Sequence, residues 1–352
     1  MAEFKSPLAI RTIFVGGGTP SLLTPEQLAR IFQTLSDRFN LSQLQETTIE
    51  ANPGTIDIKK MAQYRELGFD RLSLGVQAFQ NHLLKRLDRI HSAEQAVQAV
   101  AMARSADFTN INLDLIFGIL GQTSSDWQES LTAALASQPE HLALYNLIYE
   151  EGTPLYADWA AGKIQPLAEE TETGFYDFAW QYLASAGYQH YEISNYCRSG
   201  KECLHNQGYW DYRPYWGFGP AAHSFDGGRR AWNSPDLNGY LSALAAGKLP
   251  PAEQEILTAE MQLEEWLFLQ MRQSKGVQLD QLLHKNCGQP IRWPEKLAER
   301  FGEPWQALFH YRGQRLSFTA KGMWLSDEIL PILLTMLQAE GIVSPPADLF
   351  KH

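Results

Sequence analysis

Hydrophobic and polar positions alternate in blocks along the first 150 residues of the chain. Short runs of β-formers are followed by longer amphipathic stretches, with a repeat of roughly 30 to 37 residues, the βα rhythm of a parallel sheet or barrel. The pattern predicts strands at Thr12–Val15, Thr47–Ala51, Arg71–Val76, Asn110–Phe117 and Leu142–Tyr149, with helices opening near Pro25, Asp57, Gln80 and Ser125. Thr24 before Pro25, with Gln27 behind it, reads as an N-cap with proline in the first turn. Beyond Tyr149 the rhythm breaks at "EEGTPLY". It resumes with a helix around Glu170–Ala186 and a strand in "YQHYEISNYC". The aromatic stretch "LHNQGYWDYRPYWGFGPAAHSF" reads as a long functional loop. From about residue 252 amphipathic segments, including "GVQLDQLLHK", with one hairpin near 308–323 predict a helical, winged-helix-like module. The expected division is therefore a barrel over 1–165, a barrel end with the aromatic loop over 166–250, and a C-terminal domain over 251–352.

Polar residues stand where the predicted strands stop: Gly16, Gly17, Gly18 and Thr19 after the first, Glu50 on the second, Gln77 on the third and Asp114 on the fourth. In a βα barrel those ends converge on one face, and polar groups inside apolar strands are costly unless satisfied. Glu50, Gln77 and Asp114 thus read as one constellation around a polar guest. The glycine triplet offers bare peptide groups to a ligand. It is followed by no lysine and meets neither phosphate-loop pattern, so the guest is expected to be small and zwitterionic.

Composition narrows the partners. The 352 residues carry a formal charge of −11, which opposes a large phosphate-neutralising surface and argues against a nucleic-acid partner. No apolar run reaches the ~18 residues of a membrane helix, and the start has no signal-peptide core. A cytoplasmic protein is expected, with peripheral membrane contact and oligomeric state left open. Cys197, Cys203 and Cys287 follow no CxxC spacing and read as buried or incidental thiols.

Taken in order, "FVGGGTPSLL", "IEANPG", "RLSLGVQAF", "RIHSAEQA", "NLDLIFG", "YEISNY", "CLHNQGYW" and "AAHS" resemble the radical S-adenosylmethionine (SAM) proteins of the oxygen-independent coproporphyrinogen oxidase group, along essentially the whole chain. The resemblance implies an α/β fold, a partial (β/α)6 TIM-like barrel with SAM at its carboxyl face and a C-terminal helical domain. It implies SAM contacts at Gly17, Gly18, Thr19, Glu50, Gln77, Arg89 and Asp114, with a backbone contact near Ile148. "HNQGYW" resembles the heme-chaperone branch of the group and implies heme candidates His205, Asn206, Tyr209 and Trp210. Imidazole can ligate iron while Tyr and Trp give apolar faces to a macrocycle. His91 and His223 read as structural. The implied partners are heme or a porphyrinogen and a haemoprotein acceptor.

The family's [4Fe–4S] cluster is held on a CxxxCxxC motif ahead of the glycine loop. Here fifteen residues precede Gly16 and none is cysteine. The chain is expected to lack the first βα unit, with truncation preferred over a natural relic. Asp88, where the family commonly has Gly, is expected to pair with Arg89 and weaken its hold on SAM. Three readings stand: a heme chaperone, an oxygen-independent coproporphyrinogen III oxidase, and a non-catalytic relic binding SAM or heme. No catalytic residue is assigned.

Overall fold

The computed structural model describes residues 8–284 and 291–346. The chain divides into two compact units, 1–205 and 206–352.

The first unit is built on β1 (Thr12–Val15), α1 (Pro25–Arg38), β2 (Glu46–Ala51), α2 (Ile58–Glu66), β3 (Arg71–Gln77), α3 (Asn81–Arg86), α4 (Ala93–Ser105), β4 (Ile111–Phe117), α5 (Ser124–Ala136) and β5 (His141–Asn146). It continues through α6 (Pro154–Ala160), α7 (Glu169–Ser185), β6 (Gln189–Glu192) and β7 (Asn195–Cys197). The seven strands form one sheet in the order β1-β2-β3-β4-β5-β7-β6. β1 to β5 pair in parallel, and β7 adds antiparallel to β5. This is a curled half-barrel sheet in a mixed α/β unit, as the βα rhythm predicted. The strand expected in "YQHYEISNYC" is two, because Ile193 and Ser194 turn the chain back into an antiparallel hairpin.

Strict alternation divides the two faces of this sheet. Ile49, Leu72, Leu74, Leu113, Leu115, Leu142 and Leu144 are buried on one face. Helix residues such as Leu28, Met61, Leu84, Ala99, Trp127 and Leu183 are buried with them in the core of the unit. Trp127 lies 5.5 Å from Phe117 with the rings tilted at 45°, and it donates its indole N–H to the Phe175 carbonyl at 2.9 Å. The other face carries Glu46, Thr48 and Glu50 on β2, Arg71 and Ser73 on β3, Asn112 and Asp114 on β4, and His141 on β5.

The helix starts are locally determined. Thr24 and Gln27 form a reciprocal capping box on α1, and Ser92 with Gln95 does the same on α4. On α5 the capping pair is Thr123 with Asp126.

α8 (Leu204–Trp210) lies in the aromatic stretch that read as loop, and the division between the units falls within it. The second unit holds β8 (His223–Phe225), β9 (Arg229–Asn233), α9 (Leu237–Ala245), β10 (Ala252–Ile256), α10 (Ala259–Met271), β11 (Val277–Gln278), β12 (Leu283–His284) and α11 (Trp293–Phe301). It ends with β13 (Phe309–Arg312), β14 (Arg315–Phe318), α12 (Ala320–Trp324), α13 (Ser326–Ala339) and β15 (Ile342–Ser344). β8, β9 and β10 make one three-stranded sheet, and β11, β14 and β13 another. The hairpin expected near 308–323 is β13–β14. In the amphipathic "GVQLDQLLHK" residues 276–284 form no α-helix: Val277 and Gln278 pair with Leu316 and Arg315 as a third strand of that sheet, and a short 3-10 turn, Leu279–Gln281, follows.

Candidate functional site

The carboxyl ends of β1 to β4 bring the predicted rim residues together on the first unit. β1 stops at Val15, and Gly16 to Thr19 cross the strand tips as exposed backbone. Gly17, at φ 80°, donates its N–H to Glu50 Oε2 at 3.2 Å. Gly16 permits the approach: a Cβ there would lie 2.9 Å from the Glu50 carboxylate and 2.8 Å from the Phe14 ring. Around Gly17 and Gly18 a Cβ would meet nothing within 4 Å, so the loop leaves open space over bare peptide groups.

Gln77 ends β3 at a bulge, where the register with β4 shifts between Gly75 and Gln77. Its φ is 69°, a left-handed conformation rare for a residue with a side chain, and it is 8% exposed. Its amide folds back over Gly75, where a Cβ would come within 2.9 Å of Nε2. Asp114 accepts from Asn112 Nδ2 at 2.7 Å and from Ser73 Oγ at 3.2 Å. Arg89, half-buried, has an Nε with no hydrogen-bond partner. Burial lowers its pKa while the Asp114 charge raises it. Among the described residues no ion pair joins Asp88 to Arg89; Asp88 is exposed in a left-handed conformation (φ 51°), and Arg89's charge partner is Asp114. Ile148 is 73% exposed just beyond β5.

Glu50 and Asp114 set two carboxylates close together at this rim, and the Arg71 and Arg89 charges only partly offset their burial. Burial pushes Glu50 up from its ordinary value, the neighbouring Asp114 charge adds to that, and the Gly17 N–H opposes it. Burial raises Asp114 as well, against Asn112, Arg71, Ser73 and Arg89. A ligand with an ammonium or sulfonium group relieves both carboxylates, and a ligand carboxylate matches the underused Arg89 fork. The amino-acid end of SAM has this set of groups, so the residues present fit it.

Beneath the rim runs a polar ladder that strand-end reasoning missed. Asn112 donates to Ser73 at 2.7 Å, His141 Nδ1 faces Asn112 Oδ1 at 2.6 Å, and His141 Nε2 meets the Tyr191 hydroxyl at 2.8 Å. Burial, then the Arg71 charge, holds His141 neutral. Arg71 is 2% exposed; burial would lower its pKa, but Cys203, Glu46, Tyr191 and Asp114 raise it overall. The signal was present as alternating polar residues, "RLS" and "NLD".

The residues present do not fit a [4Fe–4S] cluster. Among the described residues no group of three His, Cys, Asp or Glu side chains could hold a metal ion. Cys197 and Cys203 are buried and form no disulfide, and Cys287 lies outside the described residues.

The four heme candidates all lie on α8. Glu46 accepts from the N–H groups of Leu204 and His205 at 3.0 and 3.1 Å, and His205 Nδ1 lies 2.8 Å from Thr12 Oγ1. Thr12, Glu46 and Arg71 are the first residues of their strands, so His205 lies at the end of the sheet opposite the glycine rim. In the second unit Tyr209 meets Tyr215 edge to face at 4.6 Å, and the Trp210 carbonyl accepts from Gln270 and Gln273. Asn206 is half-buried. His91, as expected, is bracketed structurally, between Asn52 Oδ1 and the Val76 carbonyl.

A βα half-barrel with charged side chains and exposed glycine backbone at its strand tips has the layout in which α/β proteins carry small ligands. The sequence pattern of the Radical SAM superfamily matches residues 1–134. The heme chaperone HemW of Mycobacterium tuberculosis (strain ATCC 25618 / H37Rv) is 36% identical over 333 residues, spanning 95% of this chain and 83% of that protein. HemW of Bacillus subtilis (strain 168) is 34% identical over 85% of this chain and 76% of its own length. Coproporphyrinogen III oxidase (HemN) from Escherichia coli superposes with a TM-score of 0.72 at 22% identity, over 93% of this chain and 78% of that one. The chain belongs to the radical SAM superfamily, in the HemN-like group that includes the HemW heme chaperones. No helix among the described residues is long and apolar enough to cross a membrane.

Proposed function

We propose that this chain is a heme chaperone: it binds heme, passes it to a haemoprotein acceptor, and holds SAM at the glycine rim. The observation that carries this reading is the match to proteins named heme chaperone HemW, at 34–36% identity over 85–95% of the chain. The likeness to HemN, at 22% identity, speaks for the fold alone, and the oxidase reading has no support of its own.

On this reading Gly17, Gly18 and Thr19 receive the amino-acid end of SAM on peptide groups. Glu50 and Asp114 take its positive charge and ribose hydroxyls, Gln77 and the backbone at Ile148 line the rim, and Arg89 takes the carboxylate. His205 offers its imidazole to iron, and Asn206, Tyr209 and Trp210 of the same "HNQGYW" motif are the other heme candidates. Titration of the full chain with hemin tests the heme half. A Soret band that weakens in His205→Ala is expected, and an unchanged band removes His205 from the site. Calorimetric titration with SAM tests the rim separately.

A further inference from the structure

We propose that Glu46 and Thr12 are positioning residues for His205, one setting its backbone and the other its ring. The proposal rests on the reading of His205 as the heme residue. The residue before Leu204 is Cys203, which is not among the usual helix-capping residue types. The cap is imported from β2. Glu46, 3% exposed, takes the Leu204 N–H on Oε2, and on Oε1 it takes the His205 N–H and the Cys203 thiol, the latter at 3.4 Å. A carboxylate satisfying first-turn N–H groups also meets the positive end of the helix. The buried Arg71 supplies its counter-charge.

Thr12 holds the ring. Its hydroxyl lies 2.8 Å from His205 Nδ1, and the Phe14 ring packs 5.1 Å from the imidazole centroid. Thr12 and Glu46 are register partners on β1 and β2. One rung of the sheet therefore grips both the backbone and the imidazole of His205. An imidazole that serves iron is oriented through its other ring nitrogen, and a partner there fixes tautomer and direction. Thr12 Oγ1 is in that place, and on this proposal it accepts from Nδ1–H, which leaves the lone pair on Nε2.

Two measurements on the full chain test this, with Glu46→Gln, Thr12→Val and His205→Ala as variants. In heme-free protein, the side-chain 15N shifts of His205 should report Nδ1 protonated in the wild type and a tautomer mixture in Thr12→Val. Unchanged shifts in Thr12→Val overturn the proposal whatever heme does. In the second, hemin is titrated and the axial-ligand signature is read by electron paramagnetic resonance. Both positioning variants should weaken hemin binding about tenfold and give a mixed signature, the size typical of lost partners of metal-ligating histidines. Wild-type affinity and signature in both, with loss only in His205→Ala, overturn the positioning roles and leave the heme reading standing. Wild-type behaviour of His205→Ala overturns the heme reading itself. Thr12→Val keeps shape and charge, so it remains informative where Glu46→Gln destabilises the fold by removing one of the counter-charges of the buried Arg71.

Discussion

Gly17 gives its backbone N–H to the Glu50 carboxylate at 3.2 Å, across the tips of β1 and β2. This bond holds the glycine loop over the rim, and it is short of the charge Glu50 needs. Burial and the adjacent Asp114 both raise the Glu50 pKa. A group whose folded pKa is raised contributes stability that is present below its unfolded pKa and lost as pH rises through the folded value. At neutral pH the ionised Glu50 is therefore a cost to the ligand-free fold. Glu50→Gln should raise stability in denaturant melts at pH 7.5 by at most about 1 kcal/mol, since solvent screens a half-buried carboxylate. It should weaken SAM binding by about 10–100-fold, the worth of one charge-assisted hydrogen bond. A variant that loses stability and keeps SAM affinity would refute this account of the rim.

Gly16 is required by contact. An added Cβ would come within 2.9 Å of the Glu50 carboxylate and 2.8 Å of the Phe14 ring. Gly16→Ala should cost about 1–3 kcal/mol by overpacking and reduce SAM affinity at least as much as Glu50→Gln. Gly17→Ala, in open space but at φ 80°, should cost about 1–2 kcal/mol through backbone strain. Paired urea denaturation curves separate these from wild type.

Much of this arrangement was legible because it is local. β1 matches its predicted span, and capping at Thr24 was readable from three residues. Polar strand tips named Glu50, Gln77 and Asp114 because a polar residue at the end of an apolar run is costly anywhere else. The deeper ladder of Arg71, Ser73, Asn112 and His141 was lost by reading the strands as near-continuously apolar, when period-2 alternation was there to count. α8 was not legible. Gly208 interrupts its pattern, and its cap, Glu46, lies 158 residues from Leu204. Such a bond leaves no local trace. Asp88 illustrates the converse: adjacency in sequence suggested an ion pair, and a left-handed backbone put its side chain in solvent.

Glu192 should set a pH dependence of stability. Its carboxyl is fully buried in the β6–β7 hairpin, where it accepts from the Ser194 N–H and the Asn195 amide. Burial pushes its pKa up to about 8, against the Ser194 bond. Folded protein keeps this proton through neutrality, while the unfolded chain releases it near the ordinary value of 4.5. Stability from this group is thus full in acid, falls by about 1.4 kcal/mol per pH unit between the two values, and is flat above about 8. Glu192→Gln should remove that slope, so the wild-type minus variant difference measured from pH 5 to 9 should change steadily and then level. A constant difference would place Glu192 ionised in the folded state.

Arg71 should be the costliest single charge to remove. It is 2% exposed, and it balances Glu46 below and Asp114 above, so it serves both ends of the polar face. Arg71→Leu keeps bulk and deletes the only side of those interactions that can be lost without touching either carboxylate. Removing one partner of a buried charge set leaves the other uncompensated, at a cost of about 3–5 kcal/mol. The loss should be larger at pH 8 than at pH 5, because Asp114, already raised by burial, can take a proton in acid and shed the stranded charge. Asp114→Asn in the Arg71→Leu background should recover part of the stability, since it removes a carboxylate that no longer has a cation beneath it. Equal stability of Arg71→Leu and wild type at both pH values would mean that the ladder is held by its neutral hydrogen bonds alone. In that case Asn112→Leu, which breaks the bonds to Ser73, Asp114 and His141 together, becomes the more damaging change.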